Sequence, residues 1–100
     1  MKVLNIAFDV DGTLVKMMDS KRDEPRWEII VILKTLHKLG HRIIVWSGGG
    51  RDYAEYWVRQ LFLEEFVDEV RAKPVGSRKD VCDICFDDEE VVFGKVNAQV

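Results

Sequence analysis

Two aspartates two residues apart stand in FDVDGTLV, at Asp9 and Asp11, and Gly12 and Thr13 follow at once. Carboxylates at i and i+2 can divide labour. One can attack phosphorus and hold it as an acyl-phosphate. The other can protonate the leaving oxygen and later deprotonate the water that breaks the intermediate. The competing reading is a strand that runs into an Asp-Gly turn, with Asp11 favouring the turn. Two further stretches bear on the choice. IIVWSGGG ends an apolar run in Ser47, followed by Gly48, Gly49 and Gly50, and ICFDDEE ends another in Asp87 and Asp88. Serine offers a hydroxyl donor to an anion, and glycines let backbone N–H groups approach one closely.

These residues serve one site only if the chain brings them together. Residues 2–8 are mostly apolar with little alternation, as in a strand buried on both faces. Residues 42–46 and 81–86 are read as two more buried strands, 66–71 as an alternating edge strand, and 96–100 as a short fifth. Trp27, Ile30 and Leu33, then Ile29, Leu36 and Leu39, recur at helical spacing. Pro25 suits the first turn of that helix, Asp23 and Glu24 suit its N-terminus, and Gly40 its stop. A second helix is predicted from near Asp52, carrying Tyr53, Tyr56, Trp57, Leu61 and Phe62, and a brief third near 89–93. Residues 16–24 are polar and aperiodic, and read as a loop or small flap. Trp27, Trp46 and Trp57 read as core or helix-packing residues.

Alternation of this kind predicts one α/β domain over residues 1–100. Its expected form is a three-layer, Rossmann-like parallel sheet of about five strands with helices on both faces. Right-handed crossovers place every strand's C-terminal end on one edge, where ligands bind. Asp9 and Asp11, Ser47 with its glycines, and Asp87 with Asp88 then become neighbours. Four carboxylates at one edge repel each other unless some protonate or a cation intervenes. Oxygen-only ligands favour Mg²⁺, which binds one or two carboxylates together with substrate phosphate. No histidine or cysteine lies at these strand ends, which argues against zinc. A lysine from residues 72–79 would supply the positive charge that phosphate chemistry needs.

Composition narrows the classes. The 100 residues, 47% hydrophobic and 33% charged, are a normal soluble mix. A formal net charge of −3 gives no global attraction to nucleic acid or anionic membrane. The longest apolar run, residues 29–33, is far too short to span a bilayer. Asp9 breaks the N-terminal apolar stretch, so no signal peptide is read and the cytoplasm is the expected compartment. Cys82 and Cys85 form a lone CDIC, and His37 and His41 lie in an unrelated segment. Both cysteines are therefore read as buried strand residues, not zinc ligands.

FDVDGTLV resembles the first motif of the haloacid dehalogenase-like superfamily, DxDGT[LV] after an apolar strand. IIVWSGGG is similar to its second motif, an apolar strand ending in Ser or Thr, and ICFDDEE to its fourth, an apolar strand ending in paired acids. The third motif is a lysine between the third and fourth strands, which Lys73 or Lys79 can fill; Lys73, in the context AKP, is preferred. The resemblance covers nearly the whole chain in the expected order. It implies a Mg²⁺-dependent phosphatase with Asp9 as nucleophile and metal ligand. Asp11 would be the general acid/base, its carbonyl also reaching the metal. Gly12 and Thr13 would shape the loop. Ser47, with backbone amides around Gly48 and Gly49, would orient the phosphoryl group. Asp88 would bind Mg²⁺, and Asp87 would hold the lysine or a metal-bound water.

Many members of that family carry a cap domain after the first motif or between the second and third. The segments at those places are short here, so a capless, open site is expected. Phosphorylated macromolecules as well as small phosphate esters could then reach Asp9. The VWSG stretch and the later paired acids also resemble the phosphatase domain of polynucleotide kinase/phosphatases, which raises a nucleic-acid 3′-phosphate as substrate; the acidic net charge does not support it. The reading from a different class is a non-catalytic or weakly active phosphate- or metal-binding module on this fold, without useful turnover.

Overall fold

A computed structural model describes residues 2–16 and 24–100. Most of the predicted flap, with Asp23, lies outside the described residues. Five strands form one parallel sheet: β1 (Asn5–Asp9), β4 (Arg42–Ser47), β5 (Glu69–Ala72), β6 (Cys82–Asp87) and β7 (Gly94–Gln99). A two-stranded antiparallel ribbon, β2 (Val15–Lys16) with β3 (Glu24–Pro25), follows the Asp9–Asp11 stretch. Helix α1 (Trp27–Lys38) joins the ribbon to β4. Helix α2 (Arg51–Gln60) and a 3₁₀ turn (Glu64–Phe66) join β4 to β5.

The sheet order is β5-β4-β1-β6-β7. From β1 the chain builds outward through β4 to β5, then returns to the other side of β1 for β6 and β7. The reversal falls between β1 and β6, the topological switch point at which open α/β sheets bind ligands beyond the carboxyl ends of their strands. The order is that of the Rossmann-like doubly wound sheet.

Right-handed crossovers put connections running in opposite directions on opposite faces. The two helices belong to crossovers running the same way, and both pack on one face. Ile29, Ile30 and Leu33 of α1 and Ala54 and Val58 of α2 share a buried core with Ile6, Phe8, Ile43 and Val45. Phe8 stacks on Phe86 across the switch point with ring centroids 4.6 Å apart. The other face carries Ala7, Ile44, Trp46, Cys82 and Cys85. Its cover comes from the connections after β5 and β6, through Val81, Val91 and Phe93. Among the described residues, then, helices lie on one face, and irregular chain covers the other where a second helical layer was expected.

Several expected boundaries shift for local reasons. Residues 89–93 form no helix: they carry one turn's worth of apolar side chains, and Phe93 is spent on packing edge-to-face against Trp46 at 5.8 Å. Pro25 is not in a first helical turn; it pairs with Val15 in the ribbon, and α1 starts at Trp27. Trp27 is not a core residue but 62% exposed, and Leu39, just past the last turn, is 52% exposed. Trp46 is fully buried and Trp57 packs on the main core, as predicted. Residue 66 closes the 3₁₀ turn instead of opening the edge strand. Cys82 and Cys85 are buried free thiols on β6. No described helix is long and apolar enough to cross a membrane.

Candidate active site

The register of β1 on β6 pairs Ala7 with Cys85 and Phe8 with Phe86, so the next residues, Asp9 and Asp87, finish side by side. Both strands are apolar up to that point and acidic at it. Asp9 is 5% exposed and Asp87 fully buried, so each carboxylate must find compensation inside the protein. Lys73 provides it, with Nζ 2.7 Å from Asp87 Oδ2 and 3.5 Å from Asp9 Oδ1. The lysine is held there by its own backbone, whose N–H donates to the Ser47 carbonyl at 2.9 Å. Burial opposes the Lys73 charge, but the close contact with Asp87 and the charge of Asp9 outweigh it, so the ammonium is held above the ordinary lysine range. Lys79, the other candidate, is exposed and makes no ion pair with a described residue. The chain therefore brings Lys73, not Lys79, to the carboxylates.

Asp88 completes a cluster with Asp9 and Asp87 in which one oxygen from each lies within 4.8 Å of the others. Its carboxylate lies against Gly12, where a Cβ would overlap it. Gly12 also has φ +82°, a left-handed conformation that favours glycine, so two independent constraints meet at this position. Burial, with repulsion from Asp87 and Asp88 only partly offset by Lys73, pushes the Asp9 carboxyl up to about 7. Burial and the neighbouring Asp87 raise Asp88 as well. Among the described residues, one lysine thus leaves the three acids under-neutralised. The donor set is all oxygen, compact and open to one further cation, which fits a hard divalent ion such as Mg²⁺.

Asp87 spends its other oxygen, Oδ1, on the Glu89 N–H at 2.9 Å, which ties the start of the next connection to the strand end. Ser47 is buried at the end of β4, and its Oγ accepts the Gly49 N–H at 2.9 Å. Accepting that bond leaves the hydroxyl proton to be donated elsewhere. The Gly50 N–H turns back to the Ser47 carbonyl at 3.1 Å, so the glycine run folds tightly over the serine before α2 begins. A Cβ at Gly49 would come within 3.2 Å of the Tyr53 ring, whereas at Gly48 it would meet nothing. Thr13 is fully buried in the loop between β1 and β2, and its Oγ1 finds no partner among the described residues.

Asp11 stands apart from the three-acid cluster. It is half-buried and accepts the Tyr53 hydroxyl on Oδ1 at 2.7 Å. Arg26 clamps the same loop, its Nη1 donating to the Gly12 carbonyl and its N–H to the Leu14 carbonyl, both at 2.8 Å. Neither contact is expected from the sequence reading, in which Tyr53 counts only as a helical residue. The available signal is position: Tyr53 falls in the first turn of the helix that leaves the glycine run, at the same sheet edge as Asp11.

Comparison with known proteins returned no matching family model, no similar curated protein and no similar solved structure.

Proposed function

We propose that the chain is a Mg²⁺-dependent phosphohydrolase, a phosphomonoesterase that works through an aspartyl-phosphate on Asp9. It would be a small, capless, cytoplasmic relative of the haloacid dehalogenase-like phosphatases. The observation that carries this reading is the Lys73 ammonium set between Asp9 and Asp87 at the switch point, with Asp88 beside them. A structural ion pair needs one acid, not three.

Mg²⁺ held by Asp9, Asp88 and the Asp11 carbonyl would neutralise charge on the phosphoryl oxygens. The chain's own residues divide the rest. Asp9 attacks phosphorus, and the bond from phosphorus to the ester oxygen breaks. Asp11 gives its proton to that oxygen, and an alcohol leaves. Asp11 then takes a proton from water, which attacks the same phosphorus and frees Asp9 and inorganic phosphate. Lys73 stabilises negative charge on Asp9 and on the transferring group throughout, while Asp87 holds Lys73 in place. Ser47 donates its hydroxyl proton to a phosphoryl oxygen. A cleft of about 350 Å³ opens beside Lys73, lined also by Ser77, Glu89 and Val91.

The direct test is phosphate release from p-nitrophenyl phosphate. Release should require Mg²⁺ and be blocked by beryllofluoride, which mimics phosphate on an aspartate. Mg²⁺ binding with neither turnover nor a beryllofluoride adduct would leave the binding-only module.

The metal reading makes a separate prediction about pH. The Asp9 carboxyl titrates near 7 in the folded protein against an ordinary value of 3.8. Between those values the folded state binds more protons than the unfolded state, so Asp9 stabilises the metal-free protein at low pH and ceases to as pH rises through 7. A cation that needs the ionised carboxylate reverses that loss. Thermal melts should show little effect of Mg²⁺ at pH 5.5 and a rise in Tm that grows up to pH 8. An equal rise at both ends would mean that Asp9 is not a ligand.

A further inference from the structure

We propose that Tyr53 is a positioning residue for proton transfer, fixing which oxygen of Asp11 faces the leaving group; the inference rests on the phosphohydrolase reading above. The backbone around Asp11 is already tied down by hydrogen bonds. Asp11 bridges to Val15, and the Gly12 N–H donates to the Val15 carbonyl at 2.7 Å. Rotation of the carboxyl group is the freedom that remains, and the 2.7 Å bond from the Tyr53 hydroxyl to Oδ1 removes it. Tyr53 is a rigid anchor for the purpose. Its ring packs on the main core and against Gly49, where even a Cβ would crowd it at 3.2 Å.

The chemical consequence follows from the donor inventory. A phenol has one proton to give, and here it goes to Oδ1. The acid proton of Asp11 then belongs on Oδ2, the oxygen left for the substrate. As the bond from phosphorus to the ester oxygen breaks and the bond to Asp9 forms, that proton moves from Oδ2 to the departing oxygen, and Asp11 becomes a carboxylate. The Tyr53 bond, now made to a charged acceptor, strengthens. An interaction stronger in the transition state than in the ground state raises the rate of the chemical step.

Tyr53→Phe removes the hydroxyl and keeps the ring. Its effect should depend on the leaving group. For an alkyl phosphate, whose alkoxide needs the proton, kcat/KM should fall by about tenfold or more, since general acid catalysis contributes roughly 10²–10⁴-fold. For 2,4-dinitrophenyl phosphate, whose leaving group needs no proton, it should fall by less than about threefold. Because kcat/KM reports the steps through first phosphoryl transfer, slow hydrolysis of the intermediate does not mask the difference. In the Asp11→Asn background the same change should add nothing, because two residues acting through one proton are not additive. Equal losses on both substrates, no loss on the alkyl phosphate, or full additivity with Asp11→Asn would overturn the proposal. Wild-type protein that turns over neither ester would instead remove the phosphohydrolase reading, and this proposal with it.

Discussion

Asp9→Asn should abolish phosphate release, a loss of about 10⁴-fold or more for removal of a covalent nucleophile, and yet melt no lower than wild type at pH 8 without metal. The first half follows because a carboxamide neither attacks phosphorus at a useful rate nor ligates a hard cation well. The second half follows from the site's electrostatics. Burial, with the charge of Asp87, already pushes the Asp9 carboxyl up to about 7, so at pH 8 the folded protein holds an ionised group at a cost the unfolded chain does not bear. A neutral side chain of the same shape relieves that penalty. Lys73 keeps its closer partner, Asp87, at 2.7 Å. Activity and stability should therefore move independently, a pattern of functional strain that a purely structural aspartate does not produce. Malachite-green phosphate assays and thermal melts of one preparation check both halves. Residual turnover above about one part in a hundred would remove Asp9 from the nucleophile's role, since losing a nucleophile typically costs far more.

Lys73→Met should damage both properties. Among the described residues its Nζ is the cation that contacts Asp9 and Asp87, and losing it leaves buried carboxylates facing each other across the switch point. Removing one partner of a buried ion pair typically costs about 3–5 kcal/mol. The cost should be largest at high pH, where the acids are ionised, and should shrink as they protonate. Activity should fall by about 10²–10³-fold, the scale for losing one electrostatic stabiliser of a transition state. Lys79→Met is the matched control. Lys79 is exposed, so its stability change should stay within about 0.5 kcal/mol. Urea unfolding of both variants at pH 6 and pH 8 separates the two lysines, and equal behaviour would contradict the ion-pair geometry.

The two lysines also show where the sequence was legible and where it was not. Strand ends could be read because each apolar run stops at a residue that cannot stay buried cheaply: Asp9, Ser47 and Asp87. The parallel sheet then follows from alternation, and with it the meeting of these three positions. Within residues 72–79 no such contrast exists. That segment is irregular, and only the bond from the Lys73 N–H to the Ser47 carbonyl, a contact between distant residues, decides which lysine turns inward. Tyr53 escaped for a related reason. Helical spacing marks it as one more inward residue of α2, and no pattern along the chain says that its hydroxyl reaches Asp11 across 42 positions.

The second face of the sheet taught a different lesson. Crossover direction predicts that something must cover Ala7, Ile44 and Trp46, but not that the cover is helical. Residues 89–93 are too few to repay helix nucleation, and Phe93 and Val91 fill the space directly. Trp27 misled in the opposite sense. It matches the helical period, yet it sits at the first position of α1, where the helix has not reached the core.

The return of the chain to the far side of β1 has a kinetic meaning. The Leu4 N–H meets the His41 ring across 37 positions, on the β4 side, while the Asn5 N–H meets the Asp83 carboxylate across 78, on the β6 side. Longer loops are slower to close and are not rewarded until closure is complete. The β1-α1-β4 half should gain protection first in pulsed amide-exchange refolding, with β6 following; simultaneous protection would contradict that order. Asp87 arrives with β6. Lys73 and Asp9 can therefore be in place before Asp87 docks, and the cluster of three acids assembles only once β6 pairs with β1.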